Sequence, residues 1–519
     1  MADKTHKVLV TTSGLGSRLG NLTTYTNKSL VRVGAKPAIS YIIEQYPENT
    51  EFVVTLGHFG EHVRGLLELL YPSRNIAYVE VEKYAGEGSS LGWSMLCTQE
   101  HLQCPFIFHT CDSILQNNPP PPEENWIGVS NVKDSFQYRT VKVLNNQVVS
   151  FQEKGEINYD YAYIGVCGIK DYKPFWDNLQ KVYDSNPNNS SLSDCHALQK
   201  MITSGIKFGF VECDWHDIGN INDLRKTREN IGEDICVLDK EEENTYIFND
   251  SVVKFFYDPE KVTQRVSRAN LLNPLTPNIL GSCDNFYRYE FVEGKTFSEN
   301  TKLSVFKQFL DWSSLQLWKM NGENIRDLCE KFYFDKTESR INQFLNSYEE
   351  SHLPINGLDC PPVLEQVKKI DKEWMCDGLS SYFHGDFILD NIICDVDQFK
   401  LIDWRHNFGD NALEYGDLYY DLSKLNHSLS FNHSLVNQEC YTIDFSDDNI
   451  TVDILRKNTL VEFQRAFENF VRQNGWDLKK IKVLTSLIWI NMSPLHEYPL
   501  NIFLFYFGKY NLWRSINEQ

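Results

Sequence analysis

The sequence has neither a long hydrophobic run nor an excess of basic residues. Its most apolar stretch, residues 500–507, is too short to span a bilayer, and its first residues lack the apolar core of a signal peptide. The 50 lysines and arginines are outnumbered by 71 aspartates and glutamates, which gives a net charge of −21. We therefore expect no membrane insertion and no general affinity for nucleic acid, and any phosphate site must collect its own basic residues.

Paired cysteines are also missing. The 13 cysteines follow no CxxC pattern and no regular spacing. Cysteines scattered in this way are mostly small buried residues of a protein in a reducing compartment. The sequence therefore predicts reduced thiols and a cytoplasmic location.

The length allows more than one domain. A chain of 519 residues is long enough for two or three domains, each with its own hydrophobic core. An acidic run at residues 239–243 separates two sets of motifs. We therefore expect one domain over residues 1–230, a linker over 231–245 and a second domain over 246–519.

The first motif set opens with an apolar run, residues 8–10, that is typical of a buried strand. It is followed by GLGSRLGNLT and NKSL. A glycine turn lets backbone N–H groups approach a phosphate, and nearby cations stabilise the negative charge that develops on a pyrophosphate leaving group. Two glycines alone are common in tight turns, but together with Arg18 and Lys28 they predict a phosphate site.

Strands and helices alternate in the first half, which predicts an α/β fold with a parallel sheet covered on both faces. Such sheets bind ligands at the carboxyl ends of their strands. Asp112 follows the predicted strand 106–109, and Asp217 follows the strand-like run 207–212. An isolated aspartate is usually a turn or cap residue, but two that each follow a strand predict a shared Mg²⁺ site.

In this order, the motifs GxGxRxxxLT, NKSL, GEGSS, FQEKG, YIGVCGI and WHDIGN resemble sugar-phosphate nucleotidylyltransferases of the glucose-1-phosphate thymidylyltransferase type, over about residues 7–228. The resemblance implies a Rossmann-like sheet and nucleotide transfer from CTP, UTP, GTP or dTTP to a sugar phosphate or phosphorylated alcohol. It makes Arg18 and Lys28 catalytic and gives Mg²⁺ to Asp112 and Asp217. The residues that it assigns to the nucleotide are Gly14, Gly16, Ser17, Glu87 and Gly88, and those for the acceptor are Glu153, Lys154 and Gly165.

A lysine within a strand and a later set of polar residues mark the second half. Lys254 lies in the apolar run SVVKFF, where a charge needs an anionic partner, either a buried carboxylate or an ATP phosphate. Further on, SYFHGDFILDNIICD and FKLIDW place Asp386, Asn391 and Asp403 in the order HxDxxxxN…D of kinase catalytic and metal loops. Asp386 can orient a hydroxyl and accept its proton, while Asn391 and Asp403 offer oxygen ligands to Mg²⁺.

HGD in place of HRD, DW in place of DFG and the downstream GDLYYDLSKL resemble the aminoglycoside phosphotransferase and choline kinase superfamily, over about residues 244–519. The resemblance implies a protein-kinase-like α+β domain that phosphorylates a small alcohol with ATP, with Lys254 and Glu290 at the nucleotide. The stretch KEEENTYIF before Lys254 departs from this group, because three glutamates would repel ATP phosphates. A second half that senses a nucleotide without turnover is therefore an alternative.

Together the two halves predict a bifunctional enzyme. The second half would phosphorylate a hydroxyl, and the first would join the product to an NTP and release pyrophosphate, as in nucleotide-sugar synthesis for capsule or cell-surface polysaccharide. WHDIGN favours a sugar or polyol. NKSL and the choline-kinase-like half favour instead an amino alcohol with CTP, for which the aromatic residues, 13% of the chain, would supply a cation cage.

Overall fold

The computed structural model describes residues 6–231, 241–300, 302–395, 398–409 and 413–517. Contacts divide the chain into two compact units, the first comprising Met1–Pro259 and Gly281–Arg288, the second Glu260–Leu280 and Tyr289–Gln519. The strands at residues 243–256 thus group with the first unit, whereas the sequence places the domain boundary at 231–245. Residues 232–240 of that linker lie outside the described ranges, and separate folding on either side of it stays a prediction.

The first unit alternates strands and helices over most of its length. Its strands are β1 (Lys7–Thr11), β2 (Arg32–Val33), β3 (Lys36–Pro37), β4 (Glu51–Leu56), β5 (Ile76–Glu80), β6 (Phe106–Thr110), β7 (Ser113–Leu115), β8 (Trp126–Ser130), β9 (Thr140–Leu144), β10 (Gln147–Gln152), β11 (Tyr161–Ile169), β12 (Gly209–Glu212), β13 (Trp215–Asp217), β14 (Glu243–Ile247) and β15 (Ser251–Phe256). Its helices are α1 (Ala38–Gln45), α2 (Gly60–Leu70), α3 (Leu91–Leu96), α4 (Tyr172–Ser185), α5 (Asp194–Thr203) and α6 (Ile221–Ile231).

The main sheet of the first unit is mixed. Its order is β10-β9-β11-β6-β1-β4-β5, with β8 paired to β11 and β12. β1, β4, β5 and β6 are parallel, but β11 runs antiparallel to β6, β8 and β9. The prediction of a parallel sheet is therefore wrong for one half. The turn between β9 and β10, where Asn145 and Asn146 have φ of 52° and 60°, forms a hairpin, and a hairpin gives antiparallel pairing without a crossover helix.

Both faces of this sheet are covered, as predicted. Val8 and Val10 of β1 belong to one buried apolar cluster together with Ile42 of α1. Leu9 points to the opposite face and belongs to a second cluster with Trp176 of α4. The alternating side chains of β1 thus pack on both faces of the sheet. The loop that follows β1 lies at the carboxyl edge of the sheet, where the candidate site lies.

A smaller sheet has the order β14-β15-β17-β16, in which β16 is Ile279–Cys283 and β17 is Phe286–Glu290. Its residues share the core of the first unit, because Tyr246 and Phe255 are fully buried in the same cluster as Val8. The hydroxyl of Tyr246 also donates to the backbone oxygen of Leu30 at 2.6 Å.

The second unit is largely helical. Its strands are β18 (Lys295–Thr296), β19 (Ser380–Ser381), β20 (Ile392–Asp395), β21 (Gln398–Leu401), β22 (Gly416–Asp417), β23 (Tyr441–Phe445) and β24 (Ile450–Ile454). Its helices are α7 (Pro259–Leu272), α8 (Leu303–Trp312), α9 (Arg326–Glu330), α10 (Lys336–Leu345), α11 (Val363–Lys368), α12 (Lys372–Cys376), α13 (Leu418–Ser430), α14 (His433–Asn437), α15 (Asn458–Gln473), α16 (Leu478–Met492) and α17 (Leu500–Asn517).

Helix α13 lies at the centre of the second unit, since nearly all of its residues are buried. It packs on α16, where Nδ2 of Asn426 donates to Oγ1 of Thr485 at 3.0 Å. The motif GDLYYDLSKL thus leads into a buried helix, while the kinase-like fold of the unit stays a prediction. In the described part of the chain, every helix is too short or too polar to cross a membrane.

Candidate functional site

The loop after β1 is held in place by Asn27. Its Nδ2 donates to the backbone oxygens of Thr12 at 2.8 Å and His58 at 2.6 Å, and its Oδ1 accepts from the N–H of Ser29 at 2.9 Å. Asn27 is fully buried, so these bonds fix the backbone position of the adjacent Lys28. The asparagine of NKSL therefore positions the lysine.

Gly16 brings the glycine loop against Lys28. Its φ is 68°, and a Cβ there would lie 2.7 Å from Cβ of Lys28 and 3.1 Å from Cγ2 of Thr23, so only glycine fits. Gly14 differs, because a Cβ at that position would meet no atom within 4 Å. Ser17 is exposed at the start of the next turn.

Asp112 follows β6 closely and contacts both predicted catalytic cations. Nζ of Lys28 is 3.0 Å from its Oδ2, and Nη2 of Arg18 is 3.9 Å from the same oxygen. Burial alone would raise the pKa of Asp112, but the charge and hydrogen bond of Lys28 outweigh it, and the pKa lies below its usual value. Burial likewise opposes the charge of Lys28, yet Asp112 holds the pKa of Lys28 above its usual value. Both groups are therefore charged at neutral pH.

The short pair of strands β7 and β13 brings Asp217 beside Asp112. Asp217 lies opposite Ser113 in this antiparallel pair. Its Oδ1 accepts from the N–H of Gly219 at 2.7 Å, and its Oδ2 accepts from the hydroxyl of Tyr138 at 3.0 Å. Burial, and then the charge of Asp112, raise the pKa of Asp217. A cation between the two carboxylates would relieve this repulsion.

Gly219 keeps a space open between these carboxylates. A Cβ there would lie 3.0 Å from Oδ1 of Asp217, 3.5 Å from Oδ2 of Asp112 and 3.3 Å from Nη2 of Arg18. The two carboxylate oxygens are therefore no further apart than the first two distances combined. We call the space bounded by Asp112, Asp217 and Gly219 the carboxylate gap.

The oxygen ligands of the carboxylate gap fit Mg²⁺, which commonly binds through one or two carboxylates plus substrate phosphates. Over the described ranges, no group of three or more His, Cys, Asp or Glu side chains is arranged to hold a metal ion. An ion at the carboxylate gap would therefore need the substrate to complete its ligands.

The two residues of the predicted acceptor pair, Glu153 and Lys154, make different contacts. Glu153 is exposed and forms an ion pair with Nη2 of Arg139 at 3.3 Å. Lys154 makes no hydrogen bond or ion pair with any residue that the structure describes. Loss of hydration, and then the charges of Arg18 and Arg139, lower its pKa, while the charge of Asp217 raises it. These interactions place the Lys154 ammonium near the carboxylate gap.

Gly165 shapes the strand behind Asp112. It has a φ of 75°, and a Cβ there would lie 2.7 Å from Oγ1 of Thr110, at the end of β6. The Thr110 side chain in turn helps to lower the pKa of Asp112 through a hydrogen bond. Gly165 therefore allows Thr110 to reach Asp112.

The second glycine loop precedes α3. Oε1 of Glu87 accepts from Nδ2 of Asn188 at 2.6 Å, and Gly88 has a φ of 82°. Helix α3 is tied to the loop after β1, because the hydroxyls of Ser94 and Ser13 are 2.9 Å apart. The roles of Glu87 and Gly88 toward a nucleotide stay predictions.

In the second unit, Asp386 is held between Lys424 and Asn391. Its Oδ1 is 2.9 Å from Nζ of Lys424, and its Oδ2 accepts from Nδ2 of Asn391 at 3.1 Å. Burial would raise the pKa of Asp386, but Lys424 outweighs it, and the pKa lies well below its usual value. Asp386 is thus charged at neutral pH and suited to orienting a hydroxyl. Oδ1 of Asn391 makes no hydrogen bond within the described residues, so it can serve as a metal ligand.

The turn that carries Asp386 is fixed by Asp421 of α13. The N–H groups of His384 and Gly385 donate to its two oxygens at 2.7 Å each, and Nε1 of Trp318 donates to Oδ2 at 3.1 Å. Burial raises the pKa of Asp421 to about 6 despite these donors. The aspartate of LYYDL is therefore a positioning residue for the HGD turn.

Asp403 follows β21 with a φ of 56°, which is uncommon for a residue other than glycine and concentrates at functional sites. The N–H of the preceding Ile402 donates to the backbone oxygen of Asn391 at 2.9 Å. The two predicted metal residues therefore lie on adjacent segments.

Lys254 and Glu290 have protein partners. Lys254 is buried in β15 of the first unit, and its Nζ donates to Oγ1 of Thr245 at 2.9 Å. The N–H of Glu290 donates to the backbone oxygen of Asn278 at 3.1 Å, so this donor is already used. The role of both residues toward ATP stays a prediction.

Several residues of these sites were given no role by the sequence, among them Tyr138, Arg139, Gly219 and Lys424. Gly219 and Lys424 stand inside the quoted motifs WHDIGN and GDLYYDLSKL, so their positions carried a signal. Tyr138 and Arg139 lie in FQYRT, which has no recognisable pattern, and only the folded contacts reveal them.

No family model matches the sequence, and a search of curated proteins returns no match. The N-terminal part is similar to solved structures of nucleotidylyltransferases. A CTP:phosphocholine cytidylyltransferase from Streptococcus pneumoniae is 20% identical, with 44% of this chain and 100% of that chain covered and a TM-score of 0.39. A putative glucose-1-phosphate thymidylyltransferase from Bacillus anthracis is 20% identical (46% and 98% covered, TM-score 0.38). An inositol-1-phosphate CTP transferase from T. maritima is 21% identical (46% and 100% covered, TM-score 0.36).

Proposed function

We propose that the first unit transfers a nucleotidyl group from an NTP to a phosphorylated acceptor and releases pyrophosphate. The observation that carries this proposal is the carboxylate gap, where Asp112 and Asp217 face each other across Gly219. Lys28 and Arg18 contact one of the two carboxylates, and the glycine loop lies against Lys28. Paired carboxylates beside two cations are suited to a metal-bound triphosphate.

The residues have distinct tasks in this reaction. Bound Mg²⁺, held by Asp112 and Asp217, would offset the charge of the nucleotide phosphates. Lys28 and Arg18 stabilise the charge that develops on pyrophosphate as its bond to the α-phosphorus breaks. Lys154 makes no ion pair with the residues that the structure describes and is suited to the phosphate of the acceptor, which attacks the α-phosphorus.

For the second unit we propose transfer of the γ-phosphoryl group of ATP to a hydroxyl. Asp386 orients the hydroxyl and accepts its proton, and Asp421 holds the turn that carries Asp386. Asn391 and Asp403 would hold Mg²⁺, which would offset the negative charge of the ATP phosphates. The hydroxyl oxygen forms a bond to the γ-phosphorus while the bond to ADP breaks.

The two reactions are consecutive, since the product of the second unit is the acceptor of the first. The sequence favours a sugar or polyol as the acceptor, and choline or ethanolamine with CTP is the alternative. A second unit that only senses a nucleotide would leave the first unit with an acceptor made elsewhere.

The test measures two products in the full-length protein, pyrophosphate and ADP, with each of the four NTPs and a panel of alcohols and their phosphates. Asp217→Asn should abolish pyrophosphate release and leave ADP formation intact. Asp386→Asn should lower kcat for ADP formation by ~10²- to 10⁴-fold, the usual worth of base assistance, and leave transfer to a ready-made phosphate ester intact. Loss of both products in either variant, or of neither, would contradict the division of labour.

A further inference from the structure

A cavity of about 240 Å³ in the second unit lies beside Asp386. Its wall includes residues of α10, α13 and α16, and among them is Lys424, whose Nζ is 2.9 Å from Oδ1 of Asp386. Asn391 bonds the other oxygen, Oδ2, and is not part of the wall. The cavity therefore adjoins Asp386 through Lys424, and the predicted metal ligands do not line it.

Four basic side chains line this cavity: Lys336, Arg340, Arg405 and Lys424. Lys424 is paired with Asp386, but the other three make no ion pair with any described residue. Arg340 donates only to the side chain of Gln343, at 2.9 Å, and Nε of Arg405 donates to a backbone oxygen at 3.0 Å. The cavity thus concentrates positive charge that the described side chains do not neutralise.

Two of these basic side chains pack against one aromatic ring of the cavity, that of Phe332. Nζ of Lys336 lies 4.3 Å from the centre of the Phe332 ring, and Cζ of Arg405 lies 4.8 Å from the same centre. The Phe332 ring therefore already contacts a lysine and an arginine of the protein, which compete with the ammonium of an amino alcohol for its face. A cationic ligand would be repelled here.

This crowding of basic side chains affects the pKa of Lys336. Burial, and then the charges of Arg405, Lys424 and Arg340, lower its pKa to about 6. Clustering cations in a partly buried cavity is unfavourable unless an anion joins them, because like charges repel more strongly away from water.

We propose that this cavity binds an anionic acceptor, a small hydroxy compound that also carries a carboxylate or phosphate group. This inference rests on the proposed kinase function, since the hydroxyl of the bound acid is the group that Asp386 presents to ATP. Its oxygen bonds to the γ-phosphorus, the bond from the γ-phosphorus to ADP breaks, and the proton passes to Asp386 and then to solvent. The acid group stays unchanged among Lys336, Arg340 and Arg405.

The phosphates of ATP are a less suitable occupant of this cavity. They belong with the metal, and the predicted metal residues Asn391 and Asp403 are not among the residues of the wall. The hydrophobic part of the wall, with Leu484, Leu487 and Ile488 of α16, also fits a carbon skeleton better than a triphosphate.

The experiment compares acceptors that share one skeleton, measured by ADP formation in the full-length protein. Glycerol, glycerate and glycerol 3-phosphate form one set, glucose and gluconate a second, and choline is added as the cation. We expect an anionic member to exceed its neutral partner in kcat/KM by at least ~100-fold, as expected when charged hydrogen bonds are lost. The carboxylate and phosphate arms distinguish the two kinds of acid. Neutral members or choline that react as well as the acids would overturn the proposal.

Variants connect this preference to the cavity. Lys336→Met and Arg340→Gln should each raise KM for the acid by ~10- to 100-fold, and so narrow the difference in kcat/KM between the acid and its neutral partner. Lys368→Met, an exposed lysine on α11 outside the cavity, is the matched control and should behave as wild type. The two variants are at different positions, so that poor folding of one leaves the other as a test. If both variants keep the wild-type preference for the acid, the acid does not bind in the cavity.

A binding measurement without nucleotide separates this inference from the kinase proposal. The acid should raise the Tm of the wild-type protein, and this rise should be lost in Lys336→Met. If no compound is phosphorylated but the Lys336-dependent rise is seen, the kinase proposal fails and the anion site stands. If neutral alcohols are phosphorylated and no acid changes the Tm, the anion site fails and the kinase proposal stands.

Discussion

A single methyl group at Gly219 should block the nucleotidyl transfer without disturbing the fold. In Gly219→Ala the new Cβ would lie 3.0 Å from Oδ1 of Asp217 and 3.5 Å from Oδ2 of Asp112. Mg²⁺ binds its oxygen ligands at about 2.1 Å, so it must come closer to these oxygens than the methyl group does. The methyl group and a metal-bound phosphate therefore compete for the same space.

The expected magnitude follows from the lost electrostatic stabilisation. Removing one preorganised stabilising group commonly costs ~10²- to 10³-fold in kcat, about 2.7–4 kcal/mol, and we expect at least this loss because both carboxylates are affected. The stability should change little. Gly219 does not have a φ in the left-handed region, so alanine meets no backbone strain there, and the loss of unfolded-chain entropy favours alanine slightly.

The assay is pyrophosphate release with a phosphorylated acceptor, together with ADP formation and the Tm of the same sample. Gly209→Ala is the matched control, since its Cβ would lie 3.8 Å from its nearest neighbour, the backbone oxygen of Asn125. Wild-type pyrophosphate release in Gly219→Ala would refute the assignment of the carboxylate gap. A fall in Tm that matches the loss of activity would mean that the glycine serves the fold.

Two further predictions concern protons in the second unit. Lys424→Met removes the charge that holds the pKa of Asp386 down and leaves the burial that raises it, so the acid limb of the kcat–pH profile should move to higher pH; an unmoved limb would mean that Asp386 does not set it. Lys336 has a pKa of about 6 and is mostly neutral at pH 7.5, so binding of an anion should protonate it. Calorimetry in two buffers of different ionisation enthalpy should then show proton uptake, absent in Lys336→Met.

The strands of the first unit could be predicted because their apolar runs are short and end at polar residues. The observed bounds of β6 differ from the predicted ones by a single residue at one end. The convergence of Asp112 and Asp217 was also foreseeable, since each residue follows a strand. The antiparallel half of the sheet was not, because β11 pairs with β6 and β8, which are distant from it in sequence.

The cavity of the second unit was beyond the reach of the sequence for a similar reason. Its cations come from α10, from the segment after β21 and from α13, and no local spacing joins them. Each of these residues looks like an ordinary surface charge by itself. Only packing around Phe332 brings them together.

The net charge of −21 makes such local cations informative, because the chain as a whole repels anions. Lys28 and Lys154 near the carboxylate gap are accounted for by the phosphates of any nucleotide and acceptor. Lys336 and Arg340 are not, since a neutral sugar or polyol brings no charge into the cavity before it is phosphorylated. An acceptor that is already acidic accounts for the basic residues of both units. It would enter the second unit as an anion and reach the first as a more highly charged phosphate ester.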